Sequence, residues 1–258
     1  MHVIVFYCLN LLLATVLIVG SAVSSFSTES TLETSMEEFV KQVIRDNPEL
    51  IVKTLNEYVL EQKAAQKDPR TGVNFNKRLE DIVTPENPSR GLIDAPITII
   101  SYSEFQCPYC KRAAKTLRQV MDAYPGQVRI VFKNLPMPFH KEAIPAAHSA
   151  LAAKRQGKFW EYYDALFTDG TPLNEKSYRD IAANLELNLE QFDVDRHSKE
   201  VANQVLAEAA RAQELNLKAT PSFIINGVLV QGARPLEYFS KIIDRLLQEK
   251  NDTIKKQQ

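Results

Sequence analysis

A chain of 258 residues with 45% hydrophobic and 24% charged side chains carries enough apolar material for one sizeable core and an appendage, which excludes a chain disordered throughout. Its 31 basic and 32 acidic side chains leave a formal net charge of -1. No broad positive field draws it to a phosphate backbone or an anionic lipid surface, and nucleic acid is not expected as a partner.

The first element is apolar. Val3 to Val19 is nearly all hydrophobic and is followed by the small, polar run Gly20-Ser21-Ala22-Val23-Ser24-Ser25, so residues 1–24 read as a secretory signal cleaved near Ala22 or Ser24. No Lys or Arg precedes the run and its length approaches a membrane span, so an uncleaved anchor through residues 3–19 stands as the alternative. Cys8 lies inside this run. Of the three cysteines, Cys107 and Cys110 remain beyond it and form a single C-x-x-C.

Met36, Phe39, Val40, Val43 and Ile44 then recur at helical spacing. Asn47-Pro48 offers an N-cap and a first-turn proline for a second helix, which runs to about Lys67 and stops at Asp68-Pro69. Its stripe is Ile51, Leu55, Tyr58 and Val59. Residues 30–67 are therefore a helical arm. It either packs on its own domain or joins copies of the chain into a homo-oligomer, and an amphipathic stripe does not choose between these. Residues 68–92 hold Pro69, Gly72, Pro85, Pro88 and Gly91 and read as a linker, with one short helix from about Phe75 to Val83.

A core domain over residues 93–250 follows. Ile97-Thr98-Ile99-Ile100 fits a buried strand, Cys107 to Tyr124 a helix ended by Pro125-Gly126, and Gln127 to Lys133 a second strand with Val128, Ile130 and Phe132 on one face. Strand, helix, strand is the unit of a parallel sheet, and the fold class is α/β. The stretch from about 138 to 217 is helical, with Ala147, Leu151, Phe159, Tyr163 and Leu166 as core positions. Ser222 to Ile225 and Val228 to Gln231 flank Asn226-Gly227, the strongest short hairpin signal, and a last helix spans about Leu236 to Leu247.

The chemistry rests on the two thiols. Exchange with a disulfide requires one sulfur to be a thiolate near neutral pH and a second to sit close enough to resolve the mixed disulfide. At a helix start the unpaired amides favour charge on the first sulfur, so Cys107 is the expected nucleophile and Cys110, one turn on, the less exposed resolving thiol. Pro108 suits the first turn because it has no amide hydrogen to satisfy. A structural bridge closing so small a loop would add little stability, so the Cys107–Cys110 disulfide is read as one half of a redox cycle. The competing reading, half of a zinc site, lacks ligands: His140, His148 and His197 have no close-spaced partner. No metal and no cofactor are expected.

The segment Tyr102-Ser103-Glu104-Phe105-Gln106-Cys107-Pro108-Tyr109-Cys110, with Phe132-Lys133-Asn134-Leu135-Pro136, Gly157-Lys158-Phe159-Trp160 and Thr220-Pro221-Ser222-Phe223, resembles the DsbA family of the thioredoxin superfamily. The likeness covers about residues 93 to 248 and is greatest to members with an N-terminal helical arm, the ScsC-like and Com1-like proteins. It implies a thioredoxin fold with a helical insert capping the active-site face, a cis Pro221, and a backbone at Thr220 that pairs with the substrate chain. It also implies a periplasmic or otherwise exported location, exported substrate proteins with thiols or disulfides, and a membrane redox partner.

Three residues beside the thiols are read as modulating: Pro108 and Tyr109, the dipeptide that influences redox poise, and Glu104, which assists proton transfer if buried and is otherwise an ordinary strand-end residue. Lys111 and Arg112 would add positive potential, and His140 and His148 are assigned capping or surface roles. Three functions follow. The protein is a dithiol oxidase, or an isomerase or reductase in which the arm gathers several catalytic domains, or, on the ScsC-like resemblance, a copper-binding or thiol-buffering stress protein. The Pro108-Tyr109 dipeptide does not decide among them.

Overall fold

The computed structural model describes residues 36–65 and 72–255, the side chains of residues 60–65 apart. The leader of residues 1–24 lies outside the described residues. The chain divides into two compact units, one ending at Ala65 and the other beginning at Gln66.

The first unit holds α1 (residues 36–46) and α2 (Pro48–Ala65). Asn47 joins them: its carbonyl accepts the first bond of α2 from Ile51 N–H at 3.3 Å, as at an N-cap, while its side-chain amide donates back to the Val43 carbonyl at 2.9 Å. Met36, Phe39, Val43, Ile44, Leu55 and Tyr58 all stand exposed on these helices.

The second unit is built on a five-stranded sheet in the order β1-β3-β2-β4-β5, where β1 is Ser89–Arg90, β2 Ile97–Ser103, β3 Val128–Asn134, β4 Ser222–Ile225 and β5 Val228–Gln231. β2 and β3 run parallel from Ile97 opposite Val128 to Ser103 opposite Asn134, and every other pairing is antiparallel. α3 (Pro108–Ala123) makes the crossover between the parallel pair. It packs with α9 (Leu236–Lys255) on one face of the sheet, where Leu117, Val120, Phe239 and Ile243 cover Ile97, Ile99 and Phe223. Ile100, Tyr102 and Ile224 face the opposite way toward Ala212 and Leu217. Because β2 is buried on both faces, its first half, Ile97 to Ile100, is a continuous β-branched run rather than an alternation.

Five helices lie between β3 and β4: α4 (Ala143–Arg155), α5 (Phe159–Leu166), α6 (Glu175–Asn184), α7 (Leu189–Arg196) and α8 (Lys199–Glu214). Their shared core, with Leu151, Tyr162, Tyr178 and Phe192, also takes in Phe105, Cys107, Cys110 and Phe132, so the insert closes directly over the thiols. At the hairpin, Asn226 and Gly227 both have positive φ, 43° and 87°. The Asn226 side chain accepts from Thr98 N–H at 2.8 Å and donates to the Pro96 carbonyl at 2.9 Å, tying the turn to the start of β2.

The segment before β2 departs from the sequence reading. No helix forms over residues 75–83; its polar groups are used in tertiary contacts instead. Asn74 Oδ1 accepts from the N–H groups of Asn76 and Lys77, and Leu79 N–H donates to the Gly227 carbonyl at 2.7 Å. Asp81, its side chain fully buried, accepts from Tyr102 Oη and Lys133 Nζ, both at 2.8 Å, and from Arg211 Nε at 3.2 Å. Further on, Asn87 donates to Glu208 of α8 at 2.9 Å and β1 adds an edge to the sheet. Much of the segment read as a linker is thus built into the core.

Candidate active site

β2 delivers the chain to the carboxyl end of the sheet, where Glu104-Phe105-Gln106 turns it into α3. Cys107 occupies the N-cap position, with φ -73° and ψ 120°, and Pro108 takes the first helical turn without leaving an amide unsatisfied. The first helical hydrogen bond runs from Lys111 N–H to the Cys107 carbonyl at 3.1 Å. The Cys107 sulfur therefore sits where a capping oxygen would, facing the unpaired amides of the first turn.

The two thiols stand free and both are buried, Cys107 at 4% and Cys110 at 1% exposure. Their acidities diverge. Cys107 is pulled down to about 5, first by the hydrogen bond from the Cys110 thiol and then, against the cost of burial, by the N–H of Cys110, the Thr220 side chain and the N–H of Tyr109. Cys110 is pushed far up, chiefly by burial and then by donating to Cys107, even though the Ser103 side chain and the Glu104 backbone favour its charge. Burial comes from an aromatic wall: Phe105 stacks on Phe132 at 5.4 Å between ring centroids and meets Phe167 at 5.1 Å.

From the other side of the site, the Thr220–Pro221 bond is cis and the Thr220 carbonyl lies 3.6 Å from the Cys107 sulfur, accepting from it when Cys107 is the protonated thiol. The fold thus brings Cys107, Cys110, Thr220 and Pro221 together. Tyr109 projects outward at 55% exposure, its ring under the Arg112 guanidinium at 5.2 Å.

Three assignments are corrected. Lys111 does not face the thiolate: its ammonium binds the Thr168 carbonyl at 2.8 Å and Asp169 at 3.0 Å on the insert. Glu104 is no ordinary strand-end residue, since its side chain is 1% exposed. Its Oε2 accepts from Gln106 N–H at 2.6 Å and its Oε1 meets His140 Nδ1; burial raises its carboxyl above the usual range, against the hydrogen bond from His140. His140 therefore has a partner and no merely superficial place. His148 is elsewhere, its imidazole held below the usual range by burial, and His197 Nδ1 contacts the Asp193 carbonyl at 2.7 Å. Among the described residues no three His, Cys, Asp or Glu side chains converge on one point as a metal would need.

Ser103 and Gln106 were missed from the sequence, although both lie in the segment that flagged the site. A buried thiolate beside a buried thiol is equipped for one chemistry, stepwise dithiol–disulfide exchange: the first sulfur attacks or is attacked, and the second closes the bond.

Comparison with known proteins agrees with this geometry. A family model described as Thioredoxin matches residues 83–245. The chain is similar to a thioredoxin-like oxidoreductase from Silicibacter pomeroyi DSS-3, at 30% identity and a TM-score of 0.60, over 64% of this chain and 94% of that one. It shares its fold with alpha-DsbA1 from Wolbachia pipientis, at 21% identity and a TM-score of 0.59, over 67% of this chain and 96% of the other. Among curated proteins it is 32% identical over 159 residues to the Na(+)/H(+) antiporter NhaA 1 of Mycolicibacterium vanbaalenii, a match that takes in 60% of this chain. The chain spans about a quarter of that antiporter's length, 26% of it. Among the described residues no helix is long and apolar enough to cross a membrane.

Proposed function

The chain belongs to the thioredoxin family, with a DsbA-like arrangement of sheet and helical insert, and from that premise we propose that it is an exported thiol-disulfide oxidoreductase that forms or reshuffles disulfides in extracytoplasmic proteins. One observation carries the reading: Cys107 stands at the N-cap of α3 with the buried Cys110 thiol one helical turn on and the cis Thr220–Pro221 segment beside its sulfur.

In the oxidising direction, a substrate thiolate attacks Cys107 of the disulfide form and expels Cys110 as a thiolate, which takes up a proton at once because its site disfavours charge. A second substrate thiolate then attacks its partner sulfur in the mixed disulfide, and Cys107 leaves as a stabilised thiolate. The pair gains two electrons and the substrate gains one disulfide. In the reducing or isomerising direction the reduced Cys107 attacks a substrate disulfide and Cys110 resolves the product. A leaving group as stable as Cys107 favours the oxidising direction. The Thr220 backbone beside Cys107 offers an edge on which the substrate chain pairs as an added strand.

The leader of residues 1–24 supports export, or anchoring through residues 3–19, to a compartment where disulfides persist. The exposed apolar face of residues 36–59 supports assembly of the chain through its arm, which would place several dithiols together and favour isomerase work. A membrane redox partner would restore the disulfide after each oxidation.

The deciding experiment is reactivation of scrambled, fully oxidised ribonuclease A by the mature protein under mildly reducing conditions, with Cys107→Ser as control. Reactivation lost in the control identifies an isomerase. Rapid oxidation of reduced ribonuclease by the disulfide form, with little reactivation, identifies an oxidase. Inactivity in both directions sinks the proposal and brings forward copper binding or thiol buffering by the same two sulfurs.

A further inference from the structure

His140 was assigned no part in the chemistry, yet it reaches across the carboxyl end of the sheet to meet Glu104, 36 residues earlier in the chain. Each atom of that contact, Nδ1 and Oε1, carries a lone pair, so a proton must lie between them. The other carboxylate oxygen, Oε2, accepts from the N–H of Gln106, the residue immediately before Cys107, and the Gln106 side chain accepts from Glu142 N–H at 2.7 Å. Two links therefore fasten the dithiol turn to the segment between β3 and α4. Glu104 is also close enough to Cys107 for the thiolate to make its carboxyl a weaker acid, so the two negative charges oppose each other inside the protein.

The groups around the pair leave His140 to relieve this opposition. From α3, Cys107 and Cys110 face it with sulfur; Lys111 is turned to Asp169 and Arg112 to Tyr109. At the start of α4, the Glu142 carboxylate is engaged by the Tyr178 hydroxyl at 2.8 Å. Tyr163 of α5 lies near Cys110 and Thr220 comes from the loop before β4, both neutral. Among the described residues, His140 is the basic side chain that meets Glu104.

We propose that His140 is a positioning residue for thiol–disulfide exchange: it holds the buried Glu104 carboxylate and offsets its charge, so that the Cys107 thiolate persists beside it. This deepens the oxidoreductase reading and rests on it. The consequence is redox poise, because whatever stabilises the thiolate stabilises the reduced form and makes the disulfide a stronger oxidant.

The test is a double-mutant cycle on the full mature protein, reading the Cys107 thiolate by its ultraviolet absorbance against pH and the dithiol–disulfide equilibrium against glutathione. His140→Gln keeps a hydrogen-bonding group that cannot take up a proton; it raises the Cys107 midpoint by about one unit and shifts the glutathione equilibrium about tenfold toward the disulfide. In a Glu104→Gln background the same change moves neither quantity. If His140→Gln does not fold, Glu104→Gln alone carries the test, since removing the opposing charge must lower the midpoint. A His140→Gln protein that titrates and equilibrates as wild type, or effects that persist undiminished in the Glu104→Gln background, overturns the proposal. An ordinary thiol midpoint in the wild-type protein overturns instead the reading on which it rests.

Discussion

Cys110 stands one helical turn from Cys107 with its thiol buried, and its side chain and backbone N–H together bring Cys107 below the ordinary thiol range. The helix start alone was the reason the sequence offered for an acidic thiol. In the folded chain the neighbouring thiol joins the backbone amides in lowering Cys107. Cys110→Ala is therefore expected to raise the Cys107 alkylation midpoint from about 5 toward the ordinary thiol value of about 8.5, while Cys110→Ser, which keeps a donor, moves it much less. Rates of iodoacetamide reaction against pH check this; equal midpoints in the two variants would return the credit to the helix.

A second expectation concerns stability. Cys107 is an acid whose midpoint is lower in the folded than in the unfolded chain, so between about 5 and about 8.5 the unfolded reduced chain binds more protons than the folded one. The stabilisation is present above the unfolded value and is lost as pH falls through the folded value. Above about 8.5 Cys110 acts with the opposite sign, because its folded midpoint is raised and the unfolded chain then binds fewer protons. The reduced wild-type protein should gain stability relative to Cys107→Ser on going from pH 5 to pH 8, measured by urea midpoints in the presence of reductant. A difference that is flat over this window contradicts the thiolate.

The site was legible to the extent that it is local. Cys107, Pro108 and Cys110 share one turn, and Thr220-Pro221 announces itself by opening a strand after a long helical stretch. Periodicity also gave the parallel unit and the Asn226-Gly227 hairpin. What it could not reach are pairings made only by the folded chain: Glu104 with His140, Lys111 with Asp169, and Asp81 with Lys133 and Tyr102. The missing helix at residues 75–83 has the same origin. Its apolar and charged residues have helical spacing, but Asp81 is worth more inside the core as an acceptor than on a solvated helix.

That acceptor role gives a third prediction. The Asp81 side chain is fully buried and Lys133 is 5% exposed, so Asp81→Ala leaves a buried ammonium without its counter-charge. The expected cost is about 3–5 kcal/mol in unfolding free energy, since breaking one side of a buried pair strands the other. Asp81→Asn keeps an acceptor for Tyr102 and should cost less. Urea denaturation of the disulfide form measures both, and a loss under about 1 kcal/mol for Asp81→Ala would mean that Lys133 finds water or another partner.

The arm supplies the last prediction. Met36, Phe39 and Val43 on α1 and Ile51, Leu55 and Tyr58 on α2 are each between 42% and 64% exposed. Soluble chains rarely leave so continuous an apolar face uncovered, and no amphipathic helix pair this short is expected to hold itself together in water by propensity alone. A second copy of the same arm would cover these side chains with their like, which requires no additional protein. The mature protein should therefore sediment as a dimer or trimer at micromolar concentration, and deletion of residues 30–67 should yield a monomer whose Cys107 midpoint is unchanged. Phe39→Lys with Leu55→Lys should dissociate the assembly without removing the helices. If isomerase activity depends on gathered dithiols, reactivation of scrambled ribonuclease falls in the same variants while oxidation of reduced ribonuclease does not. A wild-type chain that sediments as a monomer at tens of micromolar would end the assembly argument and leave the arm's apolar face to a different protein.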